Sequence, residues 1–270
     1  MSEAAPRILT PEYYARLKAV EEQHPWALAM RSLALDLLRR CTDGVRQPKV
    51  LDAGCGAGLF LSKCGEQLDG AALTGFDLSL DGLREAQKRG LRRLAAAHCV
   101  ELPFPSGEFD VVACQDVLQH LTPVEARQTL QEFARVLRPD GWLLVRTAAR
   151  RGLPGKKHLD SANYRQWEPE RLRAALTDHG FEVEFLARVN WLPGLWADLK
   201  AYARPQPEGD VGLSLDPRGG AGWKGRLLAA YWALERRLIL GAGWRPGRGH
   251  TLFCLARKAR GDMLPAGMEG

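Results

Sequence analysis

The stretch Val50–Phe60, VLDAGCGAGLF, carries three alternate glycines, Gly54, Gly56 and Gly58, directly after a short apolar run. The apolar run predicts a buried strand, and the residues after the glycines predict a helix over 59–68. Glycine tolerates a left-handed backbone and allows another group to come close, while the first turn of a helix presents unpaired backbone N–H groups. We therefore expect a ligand to rest on the backbone of these three glycines.

Two acidic residues at strand ends narrow the choice of ligand. Asp52 stands just before the glycines, and Asp77 follows the next predicted strand, 72–76. The glycine spacing is GxGxG rather than the GxGxxG of dinucleotide-binding turns, and a carboxylate at this place favours a cationic group over a pyrophosphate. An acid after the second strand accepts hydrogen bonds from ribose hydroxyls. Either acid alone is equally well explained by a turn, but together with the glycines they indicate a nucleoside ligand with a positively charged part.

The chain after these motifs alternates short apolar strands with helices. This alternation predicts an α/β fold with a doubly wound sheet that has helices on both faces. Strands are predicted over 49–52, 72–76, 92–97, 109–114, 142–147, 181–189 and 251–256. Helices are predicted over 12–23, 26–41, 59–68, 80–89, 123–137, 168–179 and 227–240.

Composition is ordinary for a globular chain, with 46% hydrophobic and 26% charged residues among 270. No apolar run reaches the roughly 20 residues that span a bilayer, and the start MSEAAPRILT lacks the pattern of a secretory signal. We therefore expect a cytoplasmic protein without a transmembrane segment. The six cysteines include no CxxC pair, so neither a metal site nor a disulfide framework is expected.

The positive charge is concentrated near the C-terminus. The whole chain has a formal net charge of +6, and residues 221–260 contain nine Lys or Arg and one acid. This region includes an apolar stripe on the predicted helix 227–240, formed by Leu227, Leu228, Tyr231, Trp232, Leu234, Leu238 and Ile239. Such a stripe packs on a sheet, closes an apolar pocket or rests on a membrane surface. We therefore consider an anionic acceptor and peripheral membrane contact.

With these motifs in this order, the chain resembles the class I S-adenosylmethionine-dependent methyltransferases. The resemblance covers roughly residues 49–190 and is carried by VLDAGCGAG, GFDLS, ELPFPSGEFDVVACQDVLQHL and RVLRPDGWLLV. Within the family, the chain is most similar to the small-molecule branch that includes the quinone-biosynthesis methyltransferases. The resemblance implies a mostly parallel, Rossmann-like sheet of seven strands whose last strand is antiparallel. It also implies S-adenosylmethionine as the cofactor and in-line methyl transfer to a small or lipid-like acceptor.

The same resemblance implies a cofactor site. Asp52 and the glycine turn hold the methionine part, Asp77 the ribose, and Leu78 packs on the adenine. The complete implied set is Asp52, Gly54, Cys55, Gly56, Gly58, Asp77, Leu78, His98, Cys99 and Gln115. The family has an Asp at the position of His98, where it contacts the adenine amino group. A neutral imidazole accepts only one hydrogen bond, so His98 is the main departure from the family pattern.

Candidate catalytic and acceptor-binding residues lie in the segments around the core. A base is useful when a hydroxyl acceptor must lose its proton, and His120 and His158 are the candidates. Each also has a simpler interpretation, His120 as a turn-fixing residue and His158 as a solvated loop residue. Aromatic residues of the N-terminal helices and of the segment after the fifth strand are expected to line the acceptor pocket. They are Tyr14, Trp26, Tyr164 and Trp167.

Four segments follow from these assignments. They are an N-terminal helical lid (1–48), the cofactor-binding core (49–202), a C-terminal helical insertion with a flexible insert and the amphipathic helix (203–248), and the last strand with a tail (249–270).

Three other functions remain open at this level. The basic C-terminal region also suits a methyltransferase that acts on RNA or protein. Against it, the fourth strand ends in ACQD rather than in an NPPY-like signature, and no RNA-binding module is visible, so nucleic acid is not the expected partner. A nicotinamide-dependent oxidoreductase is the second alternative, and a relative that binds the cofactor without catalysis is the third.

Overall fold

The structure is a computed structural model that describes residues 11–150, 165–196 and 222–260. For residues 11–16, it describes the backbone alone. The described strands are β1 (Lys49–Ala53), β2 (Ala72–Asp77), β3 (Arg93–Ala96), β4 (Phe109–Gln115), β5 (Leu137–Ala148), β6 (Phe181–Val189) and β7 (Thr251–Lys258). The described helices are α1 (Pro11–Gln23), α2 (Pro25–Thr42), α3 (Leu59–Gly65), α4 (Leu80–Lys88), α5 (Pro123–Val136), α6 (Pro169–Thr177), α7 (191–196) and α8 (Gly222–Leu240).

The strands form one mixed sheet in the order β3-β2-β1-β4-β5-β7-β6. The first five strands are parallel, and β7 pairs antiparallel with both β5 and β6. This arrangement confirms the predicted doubly wound sheet of seven strands with an antiparallel last strand. The strand order reverses between β1 and β4, which is where ligands bind in open sheets of this kind.

The middle residues of the central strands are apolar on both faces of the sheet, so both faces are buried. Val111 and Val112, neighbours on β4, are both inaccessible and face opposite sides. One side packs against α5 and α6, through residues such as Phe133 and Leu172. The other side packs against α2 and α8, so that the N-terminal and C-terminal helices lie on the same face.

Local signals set where two of the helices begin. His24 caps α2, since its Nδ1 accepts a hydrogen bond from the Trp26 N–H at 3.1 Å and Pro25 occupies the first turn. Thr122 caps α5 in a complete capping box with Glu125. Both caps satisfy backbone N–H groups that the helices themselves leave unpaired.

Three boundaries differ from the predicted ones by three residues or more. Strand β5 begins at Leu137 rather than Trp142, because Leu137 already pairs with Phe109 of β4. Helix α3 ends at Gly65, three residues before the predicted end. Helix α8 begins at Gly222 rather than Leu227, because packing overrides the low helix propensity of the two glycines in GWKGR.

The predicted stripe on α8 divides among three environments. Trp232 and Ile239 are buried in the core, with 5% and 1% exposure. Leu234 and Leu238 are exposed. The remaining members lie beside a cavity: they are Leu227, Leu228 and Tyr231. The stripe therefore packs on the core through some of its members and borders the cavity through others.

Two further findings concern membrane-spanning helices and the cysteines. No helix among the described residues is long and apolar enough to cross a bilayer. All six cysteines are buried free thiols.

Candidate active site

A cavity of about 1270 Å³ opens at the C-terminal ends of β1, β2, β4 and β5. Helices α1 and α2 border it on one side, and α7 and α8 border it on the other. Its volume exceeds the usual size of a site for one small ligand. A cofactor and an acceptor can therefore lie in it side by side.

The glycine turn has the left-handed backbone that its sequence predicted. The φ angles of Gly54, Gly56 and Gly58 are 72°, 51° and 74°. Gly54 and Gly56 line the cavity. Gly58 lies outside the cavity lining as the N-cap of α3, where a Cβ would approach Leu91 Cδ1 to 2.5 Å and Ala86 Cβ to 2.8 Å. Gly58 is therefore required by packing within the protein, which corrects the expectation that a ligand rests on all three glycines.

Replacement of Gly58 by Ala tests this packing. Gly90 supplies a matched control, because its φ is 88° but nothing lies within 4 Å of an added Cβ. We expect Gly90→Ala to cost about 1 kcal/mol of unfolding free energy from backbone strain alone. Gly58→Ala should cost about 2 kcal/mol more through overpacking. Urea denaturation measures both, and equal losses would show that the contacts with Leu91 and Ala86 relax freely.

Asp77 connects the glycine turn to helix α4. Its Oδ2 accepts the Gly56 N–H and its Oδ1 accepts the Ser79 N–H, each at 2.8 Å. Ser79 in turn caps α4 by accepting the Gly82 N–H at 3.1 Å. Asp77 itself lines the cavity, and the adjacent Leu78 presents an exposed apolar surface to it. These residues fit a ribose and an adenine ring.

Asp52 gives the cavity a preference for a cation. It borders the cavity with only 3% of its surface exposed. Burial, together with the charges of Glu21 and Asp77, raises the pKa of Asp52 to about 8, and Arg146 opposes this rise. A carboxylate that is costly to ionise alone becomes stable beside a positive group. The residues therefore fit the cationic methionine part of S-adenosylmethionine.

His98 and Cys99 border the region where the adenine is predicted to lie. His98 Nδ1 accepts the Val100 N–H at 3.3 Å. In a neutral imidazole, the proton is then on Nε2, which donates rather than accepts. His98 is therefore suited to the ring nitrogen of adenine and not to its amino group, which distinguishes it from the family's Asp.

The cavity lining also contains an ion pair between β4 and β5. Asp116 follows Gln115 at the end of β4 with a φ of 59°, and the guanidinium of Arg146 from β5 pairs with it. Arg146 also lies over the Trp26 ring, 5.8 Å from the centroid. Left-handed backbone is rare at a residue other than glycine and is frequent at functional sites. Asp116 was detectable from its place directly after β4, whereas nothing in the sequence pattern marks Arg146.

The opposite wall of the cavity is apolar and is held by a buried carboxylate. Glu235 accepts hydrogen bonds from the N–H groups of Asn190 and Trp191 and from the Tyr231 hydroxyl, at 3.0, 2.8 and 2.7 Å. Trp232 Nε1 donates to Asn190 Oδ1 at 2.8 Å. These bonds join α7 to α8. The apolar wall of these two helices is formed by Leu192, Leu195, Trp196, Leu227 and Leu228.

The structure brings most of the predicted site residues to one cavity. The lining includes all of the implied cofactor set except Gly58, together with His120 and Trp26. Trp167 instead packs against the core, and its Nε1 donates to the Leu118 carbonyl at 3.4 Å. His158 and Tyr164 lie outside the described residues, as does the side chain of Tyr14 on α1. The binding and catalytic roles of all these residues stay predictions.

Comparison with known proteins supports the same family. Residues 51–145 match a family model described as a methyltransferase domain. The ubiquinone biosynthesis O-methyltransferase of Bordetella avium is 28% identical over 128 residues, which are 45% of this chain and 52% of that protein. The chain thus spans about half the length of the curated relatives it matches.

Solved structures share the fold at low identity. Phosphoethanolamine N-methyltransferase 2 of Haemonchus contortus is 18% identical with a TM-score of 0.60, over 94% of this chain and 59% of that chain. Geranyl diphosphate C-methyltransferase of Streptomyces coelicolor is 15% identical with a TM-score of 0.58, over 95% and 85%. The match over residues 51–145 shows that this chain contains a methyltransferase domain, and its seven-stranded sheet has the fold of S-adenosylmethionine-dependent methyltransferases of known structure.

Proposed function

We propose that the protein transfers the methyl group of S-adenosylmethionine to a hydroxyl group of a small acceptor that has an apolar body. The observation that carries this proposal is the division of one cavity into a charged region around Asp52 and Asp77 and an apolar wall from α7 and α8. The relatives named above are enzymes of small molecules, and the RNA, protein and nicotinamide alternatives gain no support from them. The name of the Bordetella relative specifies O-methylation, which supports oxygen as the receiving atom.

Each region of the cavity has a part in this function. Bound S-adenosylmethionine supplies an electrophilic methyl group on a sulfonium. Asp77 accepts hydrogen bonds from the ribose hydroxyls, and Asp52 faces the ammonium group. The wall of α7 and α8 orients the acceptor and excludes water, which is most of what an in-line displacement requires. His120 borders the cavity and takes the proton of the acceptor hydroxyl as the general base.

The nature of the acceptor and the location of the protein are parts of the same proposal. Near the cavity, α8 exposes Trp223 and Leu227 beside Lys224 and Arg226. An exposed apolar surface with basic neighbours favours contact with an anionic membrane. This supports a lipid-like acceptor that a cytoplasmic enzyme takes from the membrane surface.

Incubation with methyl-labelled S-adenosylmethionine tests the activity. The acceptors are a catechol with a prenyl tail and the same catechol without it. We expect labelled product from both and a lower KM for the tailed one. Binding of S-adenosylhomocysteine without transfer to any hydroxyl acceptor would overturn the proposal and favour the non-catalytic relative.

Charge on the apolar wall should weaken acceptor binding selectively. Leu227→Glu places a carboxylate on the cavity wall, so we expect KM for the tailed catechol to rise about tenfold, or about 1.4 kcal/mol. Affinity for S-adenosylhomocysteine should not change. Leu234→Glu on the exposed side of the same helix is the matched control. An equal rise in KM for both variants would argue against the wall as the acceptor site.

A further inference from the structure

Helix α1 presents a single face to the cavity. The α1 residues that line it are Leu17, Val20 and Glu21, and His24 follows at the cap of α2. This spacing of three, four and seven residues is that of one helical face. Glu21 is therefore a carboxylate on an otherwise largely apolar face that covers the predicted cofactor region.

Ion pairs on its other side hold α1 over the glycine turn. Lys18 Nζ lies 2.9 Å from Glu85 Oε2 on α4, and Glu22 pairs with Arg89. Arg89 Nε also donates to the Ala57 carbonyl in the glycine turn at 3.0 Å. The orientation of α1 is thus determined by contacts that do not involve Glu21.

The carboxylate of Glu21 has no ion pair within the described part of the chain. The two arginines nearest to it are engaged elsewhere, since Arg146 pairs with Asp116 and Arg31 Nη1 donates to the Glu21 backbone carbonyl at 2.8 Å. Burial raises the pKa of Glu21, against the opposing charges of these arginines. A buried carboxylate without a committed partner is costly unless a cation joins it.

Glu21 and Asp52 line the same cavity, Glu21 from α1 and Asp52 from the C-terminal part of β1. Among the charged groups around Asp52, Glu21 has the largest influence on it. We propose that Glu21 and Asp52 hold the ammonium group of the methionine part between them, so that α1 forms part of the cofactor site. This inference rests on the proposed function, because it assumes S-adenosylmethionine as the ligand.

Proton release follows from this arrangement. Burial and the charge of Glu21 raise the pKa of Asp52 to about 8, and Asp52 must be ionised to bind the ammonium, so the proton that it holds in the free protein leaves when the ligand enters. The affinity for S-adenosylhomocysteine should therefore rise as pH rises from about 6 to about 7.5. This range lies below the usual pKa of an α-amino group, so the ammonium of the ligand stays protonated. The charged groups that face the pair are Arg31, Asp77, Arg89, Asp116 and Arg146.

Calorimetric titration with S-adenosylhomocysteine tests the pair. For Glu21→Gln, we expect about tenfold weaker binding and a smaller release of protons, measured as the difference in binding enthalpy between phosphate and Tris buffers. Glu21→Asp, which keeps the charge, should retain proton release and lose less affinity. Glu182→Gln, which removes an exposed carboxylate on the edge strand β6, is the control and should bind within about twofold of the original protein.

A second ligand separates recognition from a structural effect. 5′-Methylthioadenosine lacks the amino-acid part, so Glu21→Gln should leave its affinity unchanged. Equal losses for both ligands, or unchanged binding of S-adenosylhomocysteine, would overturn the inference. Failure of the original protein to bind S-adenosylhomocysteine at all would instead overturn the proposed function.

Discussion

Asp77→Ala is expected to weaken the binding of S-adenosylhomocysteine by at least about 100-fold, or about 3 kcal/mol. The carboxylate accepts the N–H groups of Gly56 and Ser79 at 2.8 Å each, so its loss frees the glycine turn and the start of α4 together. The predicted hydrogen bonds to the ribose hydroxyls are lost as well. Calorimetric titration measures the affinity, and a melting curve measures the accompanying loss of stability.

The control for this variant is Asp81→Ala. Asp81 lies on the exposed side of α4 and forms a surface ion pair with Arg84 at 2.7 Å. Its removal should change neither cofactor affinity nor stability by more than about 0.5 kcal/mol. If Asp77→Ala bound the ligand within threefold of the original protein, the assignment of Asp77 to the ribose would be wrong.

Asp52→Asn should make the ligand-free protein more stable at pH 8. Because the pKa of Asp52 rises from 3.8 to about 8, the folded protein binds more protons than the unfolded chain between these pH values. Stability therefore falls as pH increases through this window, and the substitution removes that fall. The expected gain at pH 8 is on the order of 4 kcal/mol, with little difference at pH 4.

Urea denaturation between pH 4 and pH 8 measures this effect, with Asp69→Asn in the exposed turn before β2 as the control. The same substitution of Asp52 should weaken binding of S-adenosylhomocysteine, since the ammonium loses a carboxylate. If the unfolding free energies of the original protein and of Asp52→Asn changed with pH in the same way, the raised pKa of Asp52 would not explain the pH dependence. Greater stability with weaker binding would show that Asp52 is retained for the ligand.

The cofactor region was largely predictable from the sequence because its residues are close in the chain. Asp52 and the glycines occupy one strand-to-helix turn, and Asp77 ends the neighbouring strand. In a parallel sheet, consecutive strand ends meet at one edge, so order along the chain translates directly into position. The same reasoning placed Gln115 and His120 beside the cavity.

The acceptor region was not predictable to the same degree. Its wall combines residues far apart in sequence, such as Leu192 of α7 and Leu227 of α8, which meet through the buried Glu235. Likewise, Glu21 lines the same cavity as Asp52 because ion pairs with α4 hold α1 in place.

Local periodicity and motif spacing thus determined the fold class and the grouping of Asp52, the glycines and Asp77, since these depend on neighbours along the chain. The crowding around Gly58, the division of the α8 stripe, the Asp116–Arg146 pair and the carboxylate of Glu21 over the cavity were decided by tertiary packing alone. The physical reason is that contacts between distant segments depend on how helices and sheet pack, which no short pattern in the sequence encodes.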